Sequence, residues 1–483
     1  MNRILSELKP ELLWKHFEEI CNRPHPSRHE GLVSEYILDF AKSQNLESEV
    51  DDFGNIIVRK PATEGKENVK SVVLQGHLDM VPEKNNDTQH DFEKDPIKVK
   101  VEDGWVTAEG TTLGSDNGIG VAAALAVLES ADIEHGPIEA LFTLDEETGL
   151  FGAQALKPGF VKSKIMLNMD SEEDGALYIG CAGGQSTHIK YTFTESKVEG
   201  GDTYKLTVKG LRGGHSGLDI DQGRGNAIKL IARVLWEANK KIGIEVNNID
   251  GGSKHNAIPR ESVAVIVTKD GGEFEKLVKQ FNDIIKAEYA SVEPNLEISC
   301  EKITSVDTVM DSETKDKLLT SLYAAPHGVI RMSPDIPGLV QTSTNLATIK
   351  FDGNTISLIT SQRSSAESEK FDASNKVTCA FLLSGAEITY SDGYPGWNPN
   401  INSEILALMK KGMEDLFGKA PEVKAIHAGL ECGIIMEKYD GMDTVSFGPT
   451  IQGAHSPDEK VNIETVEKFW KLLLNTLKNI PSN

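Results

Sequence analysis

Apolar and polar positions along the chain change period several times, and each change predicts a new element. The first 45 residues have the amphipathic spacing of helices, most regular from Glu30 to Gln44. The apolar runs in FGNIIVRK, VKSVVLQGHLDMV, IEALFTLD and KIMLNMD predict strands, and GIGVAAALAVLES predicts a helix between them. Strands that alternate with helices are typical of an α/β domain. We therefore expect a mainly parallel sheet with helices on both faces.

The pattern changes after CAGGQ at residues 181–185. TYKLTVKG and ESVAVIVTK predict strands, NAIKLIARVLWEANKK predicts an amphipathic helix, and a hairpin is predicted around Asp352 and Gly353. From Asn398 the alternation of helix and strand returns, so the chain re-enters the first domain. We expect a first domain of residues 1–186 and 396–483, and an inserted α+β domain of residues 187–395 with two similar halves.

Composition limits the partners of the chain. The 50 basic and 74 acidic residues give a net charge of −24, which argues against nucleic acid or an anionic membrane as a partner. The longest apolar stretch, Gly118 to Leu128, is far shorter than the about 20 residues that cross a bilayer. The first residues lack the layout of a signal peptide. Five scattered cysteines, an odd number without paired spacing, indicate a reducing compartment. We expect a cytoplasmic protein.

Five residues of types that bind metal ions follow or interrupt the apolar runs. They are His77 in GHLDM, Asp116 in GSDNG, Glu147 in DEETG, Asp170 in NMDSE and His455 in GAHSPDE. Ligands of open α/β sheets bind at the carboxyl ends of strands, where three of these motifs stand. Two imidazoles, one shared carboxylate and two further carboxylates can hold a pair of zinc-like ions. Such a pair polarises a carbonyl and activates water near neutral pH.

Each motif also has a structural interpretation when it is taken alone. Asp116 precedes a predicted helix and suits a helix N-cap. The acids at 146 and 147 suit the acidic start of a helix. Asp170 is followed by SEED and suits a solvated acidic turn, and His455 suits a solvated loop. The sequence favours metal binding because all five ligand types occur together in one predicted α/β domain.

Neighbours of the ligands suggest supporting roles. His77 and Asp79 are two residues apart at a predicted strand end and face the same side. The Asp79 carboxylate can therefore accept the ring N–H that does not face a metal. Of Glu146 and Glu147, one would bind metal and the other would move a proton, and spacing alone leaves both assignments open.

The motifs GHLDMVPEK, SDNGIGVA, DEETGLFGA, LRGGHSG and HNAIP resemble those of the di-zinc metallopeptidases of the aminoacylase, carnosinase and glutamate-carboxypeptidase type. The resemblance covers essentially the whole chain. Within this family it is strongest to bacterial dipeptidases that cleave Xaa-His substrates. It implies a catalytic first domain and a lid formed by the insertion. It also implies two divalent ions. The ligand types favour zinc, and manganese or cobalt are the alternatives.

The resemblance also assigns the ligands. Asp116 would bridge the two ions, His77 and Asp170 would complete one site, and Glu147 and His455 would complete the other. The group has Asp or Glu at position 170. It associates Asp with aminopeptidases and dipeptidases, so Asp170 favours a substrate with a free N-terminus.

Further roles follow from the same resemblance. Glu146 would be the general base and acid, and Asp79 would orient His77. The family often has a cis peptide bond after the bridging aspartate, here between Asp116 and Asn117.

The resemblance places substrate-binding residues in the insertion and near the return of the chain. His215 would donate to the developing oxyanion, and Asn256, Arg363 and Gly429 would hold the substrate. Arg363 suits a C-terminal carboxylate. In related dimers this histidine comes from the neighbouring subunit, whereas a two-halved insertion could supply it within one chain.

These assignments predict metal-dependent hydrolysis of dipeptides with a free N-terminus, Xaa-His and carnosine-like dipeptides included. Water activated by the two ions would attack, with Glu146 as general base. The alternatives are an N-acyl-amino-acid deacylase or a tripeptidase with the same site, and a non-catalytic binding protein on the same fold. The expected partner is a small dipeptide, with no nucleic acid and no membrane, and a homodimer remains an open alternative.

Overall fold

The computed structural model describes residues 4–5 and 7–483, so residues 1–3 and 6 of the predicted helical start lie outside it. The chain forms two compact units. The first comprises residues up to Gly180, Trp397–Ala425 and Leu430–Asn483, and the second comprises Cys181–Gly396 and Ile426–Gly429. The sequence places the domain boundaries at 187 and 395, and the division into a catalytic domain and a lid stays a prediction.

The helices and strands follow one another in three stretches. Up to residue 181 they are α1 (Glu11–Cys21), α2 (Gly31–Ser43), β1 (Glu47–Val50), β2 (Ile56–Lys60), β3 (Val72–His77), β4 (Val99–Glu102), β5 (Trp105–Ala108), α3 (Ser115–Glu129), β6 (Ile138–Thr143), α4 (Phe151–Ala155), β7 (Ile165–Asn168) and β8 (Ala176–Cys181). From residue 183 they are β9 (Gly183–Thr192), β10 (Glu195–Lys197), β11 (Asp202–Lys209), β12 (Gly214–His215), α5 (Ala227–Lys241), β13 (Glu245–Gly251), β14 (Ala257–Ile258), β15 (Ser262–Thr268), α6 (Gly271–Glu288), β16 (Glu297–Lys302), β17 (Thr308–Met310), α7 (Ser312–Ala324), β18 (Gly328–Met332), β19 (Val340–Asp352), β20 (Thr355–Ser364), α8 (Glu367–Leu382) and β21 (Glu387–Tyr390). The last stretch contains α9 (Glu404–Phe417), β22 (Glu422–Ile426), α10 (Glu431–Lys438), β23 (Asp443–Ser446), β24 (Ile451–Gln452), β25 (Lys460–Asn462) and α11 (Ile463–Asn479). None of the described helices is both long and apolar enough to cross a lipid bilayer.

The first unit is built on an eight-stranded sheet in the order β1-β2-β6-β3-β7-β23-β8-β22. The central strands β6, β3, β7 and β23 run parallel, whereas β1–β2, β2–β6 and β23–β8 are antiparallel. The α/β prediction with helices on both faces is confirmed, but the sheet is mixed because short connections such as that between β1 and β2 form hairpins.

Burial explains why the central elements form. Every residue of β3, β6 and β7 is buried, as expected for the continuous apolar runs of a sheet that is covered on both faces. Helix α3 is apolar on all sides and buried from Asn117 to Leu128. Helix α11 buries one apolar face and is capped at its start by Asn462, whose side chain accepts a hydrogen bond from the Thr465 amide.

The second unit contains a nine-stranded sheet in two halves. Eight of its strands lie in the order β16-β11-β15-β13-β19-β20-β9-β21. The pair β13–β19 joins the two halves, each of which supplies four of these strands. The ninth strand, β18, pairs with β19. The predicted hairpin is present as β19 and β20, which are joined at Gly353, a residue with φ of +54°.

Candidate metal centre

The predicted ligands meet in the first unit, at the carboxyl ends of adjacent parallel strands. His77 is the last residue of β3, Asp170 follows β7 by two residues, and Glu146 and Glu147 lie just beyond β6. Parallel strands end at the same edge of a sheet, so these side chains converge there. Asp116 is the second residue of α3, and it is followed by a cis peptide bond to Asn117. His455 comes from the loop between β24 and β25.

The carboxylate of Asp116 lies between the two imidazoles. Its Oδ1 is 3.1 Å from Nε2 of His77, and its Oδ2 is 3.2 Å from Nε2 of His455. Nε2 of His77 is also 3.2 Å from Oδ1 of Asp170, and Nε2 of His455 is 2.9 Å from Oε1 of Glu147. The five side chains therefore form two groups of three that share Asp116.

Two of these oxygens show that the residues suit bound cations. Oε1 of Glu147 and Oδ1 of Asp170 are buried, yet in the described part of the chain neither accepts a hydrogen bond of good geometry. Buried carboxylate oxygens normally accept hydrogen bonds, so these two retain lone pairs that can coordinate a cation. A mixed set of imidazole nitrogens and carboxylate oxygens suits zinc and related ions, whereas calcium prefers oxygen ligands alone.

Without a cation, protons on the imidazoles balance the carboxylates. A hydrogen bond with Asp116 and the nearby Glu147 carboxylate raise the pKa of His455 to about 11. Burial opposes protonation of His77, but the nearby carboxylates, Asp170 first among them, raise its pKa well above the ordinary value. Burial also disfavours the charged form of Asp116, and the two imidazoles outweigh it and lower the Asp116 pKa. Metal binding would therefore displace protons from this centre.

Glu146 and Glu147 occupy different places in the centre. Glu147 contacts His455, whereas a carboxylate oxygen of Glu146 lies within 4.8 Å of both a ring nitrogen of His77 and a carboxylate oxygen of Glu147. Burial raises the pKa of Glu146 well above its ordinary value. The carboxylates of Asp170 and Glu147 add to this effect, while His77 opposes it. A carboxyl group with a raised pKa is suited to accepting and returning a proton.

Asp79 is placed to support both the histidine and the two glutamates. Nδ1 of His77 is 3.0 Å from the Asp79 backbone carbonyl and 3.4 Å from its Oδ1, so the backbone oxygen is the nearer acceptor. The Asp79 carboxylate accepts hydrogen bonds from the amides of Glu146 and Glu147, at 2.9 and 3.1 Å, and from the Ser27 hydroxyl at 2.8 Å. Burial opposes its ionisation, but these bonds and His77 lower the pKa of Asp79.

A buried polar layer beneath the ligands was not predicted. Oε2 of Glu431 accepts hydrogen bonds from Nε2 of Gln75 at 2.6 Å and from the Thr143 hydroxyl at 2.7 Å, and the Asn168 amide donates to Gln75. All four side chains are fully buried. They join the ends of β7, β3 and β6, from which the ligands project. The sequence signal is polar Gln75 inside an apolar run, two residues before His77.

A second unpredicted residue is Glu459, the last acid of the GAHSPDE motif. Its carboxylate is buried and accepts hydrogen bonds from the backbone at the start of α3. The signal in the sequence is an acid four residues after a histidine ligand, which spacing alone does not separate from a surface acid.

In the second unit, the environment of His215 fixes its tautomer. Nδ1 of His215 accepts hydrogen bonds from the amides of Gly217 and Leu218, at 3.3 and 3.0 Å, so the ring proton belongs on Nε2. Burial and the nearby Arg363 cation lower the pKa of His215 to about 4. The imidazole is therefore neutral near pH 7 and offers one N–H donor.

The other predicted substrate residues lie near His215 in the same unit. The Asn256 carbonyl accepts a hydrogen bond from the Ser216 amide at 2.9 Å. Nη1 of Arg363 donates to the Tyr394 hydroxyl at 3.0 Å, while Nε of Arg363 is buried and has no acceptor among the described residues. Gly429 packs so closely on Tyr394 that a Cβ there would lie 2.7 Å from the ring.

Comparisons with known proteins extend over the whole chain. It is 44% identical over 481 residues to the cytosol non-specific dipeptidase of Escherichia coli K12, covering 99% of both chains. A solved aminoacylhistidine dipeptidase from Vibrio alginolyticus is 43% identical with a TM-score of 0.93, covering 99% of this chain and 98% of that one. A Staphylococcus aureus tripeptidase shares the fold, with a TM-score of 0.57 and 16% identity, over 98% of this chain and 99% of that one.

The family is shown by a match of residues 73–479 to the peptidase family M20/M25/M40. The matched region contains all five predicted ligands together with Asp79 and Glu146. The resemblance predicted from the motifs is confirmed by these comparisons. The chain belongs to the peptidase family M20/M25/M40.

Proposed function

We propose that this chain hydrolyses the peptide bond of dipeptides with a free N-terminus, Xaa-His and carnosine-like dipeptides among them. The dipeptidase assignment is supported by two relatives that are named as dipeptidases, at 44% and 43% identity over nearly their full lengths. The observation that carries the mechanism is the pair of three-residue groups that share Asp116, with Glu146 beside them. The name of the Escherichia coli relative and the scattered cysteines support a cytoplasmic location.

The ligand assignment follows the two groups. His77, Asp116 and Asp170 would hold one divalent ion, and Asp116, Glu147 and His455 would hold the other. Zinc suits this donor set, and manganese and cobalt are the alternatives. When bound, such ions polarise a substrate carbonyl and lower the pKa of a water molecule.

Glu146 has the position and environment of the group that moves the proton. Its carboxyl is not needed for the group of Asp116, Glu147 and His455, and it lies beside His77 at the same edge of the sheet. It would take a proton from the attacking water and deliver it to the leaving amino group, which needs a pKa near the working pH. The Asp79 carboxylate binds the amides of Glu146 and Glu147, so Asp79 would hold both glutamates in their places.

Residues of the second unit would bind and polarise the substrate. His215, neutral with its proton on Nε2, would donate a hydrogen bond to the developing oxyanion. Arg363, whose buried Nε lacks an acceptor among the described residues, would bind a C-terminal carboxylate, and Asn256 and Gly429 would line the same site. His215 could act within its own chain or in a homodimer, and residues 187–395 would form the lid.

The function is tested on a panel of small substrates: β-Ala-His, Gly-His, Cys-Gly, a tripeptide and an N-acetyl amino acid. Metal-stripped protein should be inactive, and restoring zinc or manganese should restore cleavage of the three unblocked dipeptides alone. The reason is that both relatives are named dipeptidases, and the family resemblance associates Asp170 with substrates that have a free N-terminus. Release of the free amino acid is measured by chromatography.

Other outcomes on this panel are equally informative. Cleavage of the acetylated substrate alone would move the function to the deacylases, and cleavage of the tripeptide alone would make the chain a tripeptidase. Two bound ions without cleavage of any compound would favour a non-catalytic binding protein.

A further inference from the structure

The buried carboxylate of Glu459 accepts hydrogen bonds from Asp116 and from the three residues that precede it. Its Oε2 accepts from the amides of Leu113 and Gly114, at 2.8 and 3.0 Å. Its Oε1 accepts from the amide and hydroxyl of Ser115, at 2.8 and 2.6 Å, and from the amide of Asp116 at 3.3 Å. Glu459 is only 2% exposed. One carboxylate therefore fixes four successive residues, the last of which is the shared ligand.

The same residue also belongs to the turn that carries His455. Glu459 follows His455 by four residues in the loop between β24 and β25, and its amide donates to the Ser456 carbonyl at 3.0 Å. His455 has φ of +61°, a conformation that residues other than glycine adopt only where their surroundings hold them. Glu459 thus ties the turn of His455 to the turn of Asp116, although the two ligands are 339 positions apart in the chain.

Ordinary helix capping accounts for only part of this arrangement. A negative charge near the first amides of α3 stabilises the helix, and any acid in reach could provide it. The carboxylate, however, reaches back to Leu113 and Gly114 and forward to Asp116. Its contacts therefore fix the backbone on both sides of the helix start, including the backbone of the metal ligand Asp116.

We propose that Glu459 is a positioning residue for the metal centre. It holds Asp116 and His455 at the separation that lets them bind one cation together with Glu147. This inference rests on the proposed two-ion function, and it assigns to Glu459 a role in metal affinity that acts through two ligands and not by direct coordination.

The test is a zinc titration of metal-stripped protein in competition with a chelating indicator. In Glu459→Gln, the side-chain NH2 group would face backbone amides that are also donors. This unfavourable donor–donor contact should displace the backbone of residues 113–116. We expect the affinity for one of the two ions to fall by about 10- to 100-fold, the range for partners that orient metal ligands. The ion that His455→Ala loses should be weakened most, because Glu459 positions two of its ligands, Asp116 and His455. The other ion shares only Asp116 with this group and should be weakened less.

Asp458→Asn is the matched control. It removes one negative charge at the neighbouring position, where the side chain is exposed, and should bind both ions like the wild type. Ser115→Ala removes only the hydroxyl contact to Oε1 and should weaken the same ion by a few-fold while the chain stays folded.

Several results would overturn the inference. They are wild-type affinity for both ions in Glu459→Gln, an equal loss in Asp458→Asn, or an equal weakening of both ions. If Glu459→Gln does not fold, zinc binding is measured in Ser115→Ala instead. Wild-type zinc affinity in that variant would mean that Glu459 stabilises the fold without positioning the ligands. A wild-type protein that binds no zinc would instead contradict the proposed function itself.

Discussion

Replacing Glu146 by Gln should abolish dipeptide hydrolysis while both metal ions stay bound. Glutamine has nearly the same shape but does not accept and return a proton, so the step assigned to Glu146 is lost. We expect kcat to fall by about 10²- to 10⁴-fold, the usual contribution of general acid–base catalysis. Asp79 should still bind the amide of residue 146, because that contact is made by the backbone. The measurements are steady-state kinetics and metal content by mass spectrometry.

The matched control for this substitution is Glu109→Gln, which makes the same change at an exposed residue that belongs to neither ligand group. It should leave kcat, KM and metal content unchanged. If Glu146→Gln kept kcat within a few-fold of the wild type with both ions present, another group would have to move the proton. The assignment of Glu146 would then be wrong.

Removal of Asp116 should weaken both metal ions at once. Its two carboxylate oxygens face different imidazoles, Oδ1 that of His77 and Oδ2 that of His455, so Asp116→Ala deletes one ligand from each group. We expect the affinity for each zinc ion to fall by more than about 100-fold, since even mutation of an orienting partner costs 10- to 100-fold. Activity should be lost at zinc concentrations that saturate the wild type.

Asp170→Ala is the informative comparison, because Asp170 belongs only to the group with His77. It should reduce the stoichiometry from two zinc ions to one. A result in which Asp116→Ala also lost a single ion, and kept the second with wild-type affinity, would show that the aspartate is not shared.

The elements that carry the site could be predicted because they are buried on all sides. Strands β3, β6 and β7 are mainly apolar runs with a few polar residues, and α3 is an apolar helix that follows β3. Strand β9 was not predicted, because GGQSTHIKYT contains two glycines and alternates only in its second half. Its structure depends on pairing along its whole length with β20, more than 160 positions later, and no local pattern carries that information.

For the site, the residue types at three strand ends, before one helix and in one loop were sufficient to name the five ligands as candidates. Residue types alone do not give the pairing of the ligands, and only the family resemblance predicted it. The pairing depends on which oxygen of Asp116 faces which imidazole, across 39 and 339 positions of sequence. Glu431 and Glu459 were missed for a related reason. Their partners are buried side chains and backbone amides that come from distant parts of the chain, and an isolated acid in a sequence is usually a solvated one.

Anomalous diffraction at the zinc absorption edge, from crystals of this chain grown with zinc, tests the two-ion centre most directly. We predict two peaks in the first unit. One should lie in contact with His77, Asp116 and Asp170, and the other in contact with Asp116, Glu147 and His455. A single peak, or peaks that do not adjoin the Asp116 carboxylate, would contradict the two-ion centre.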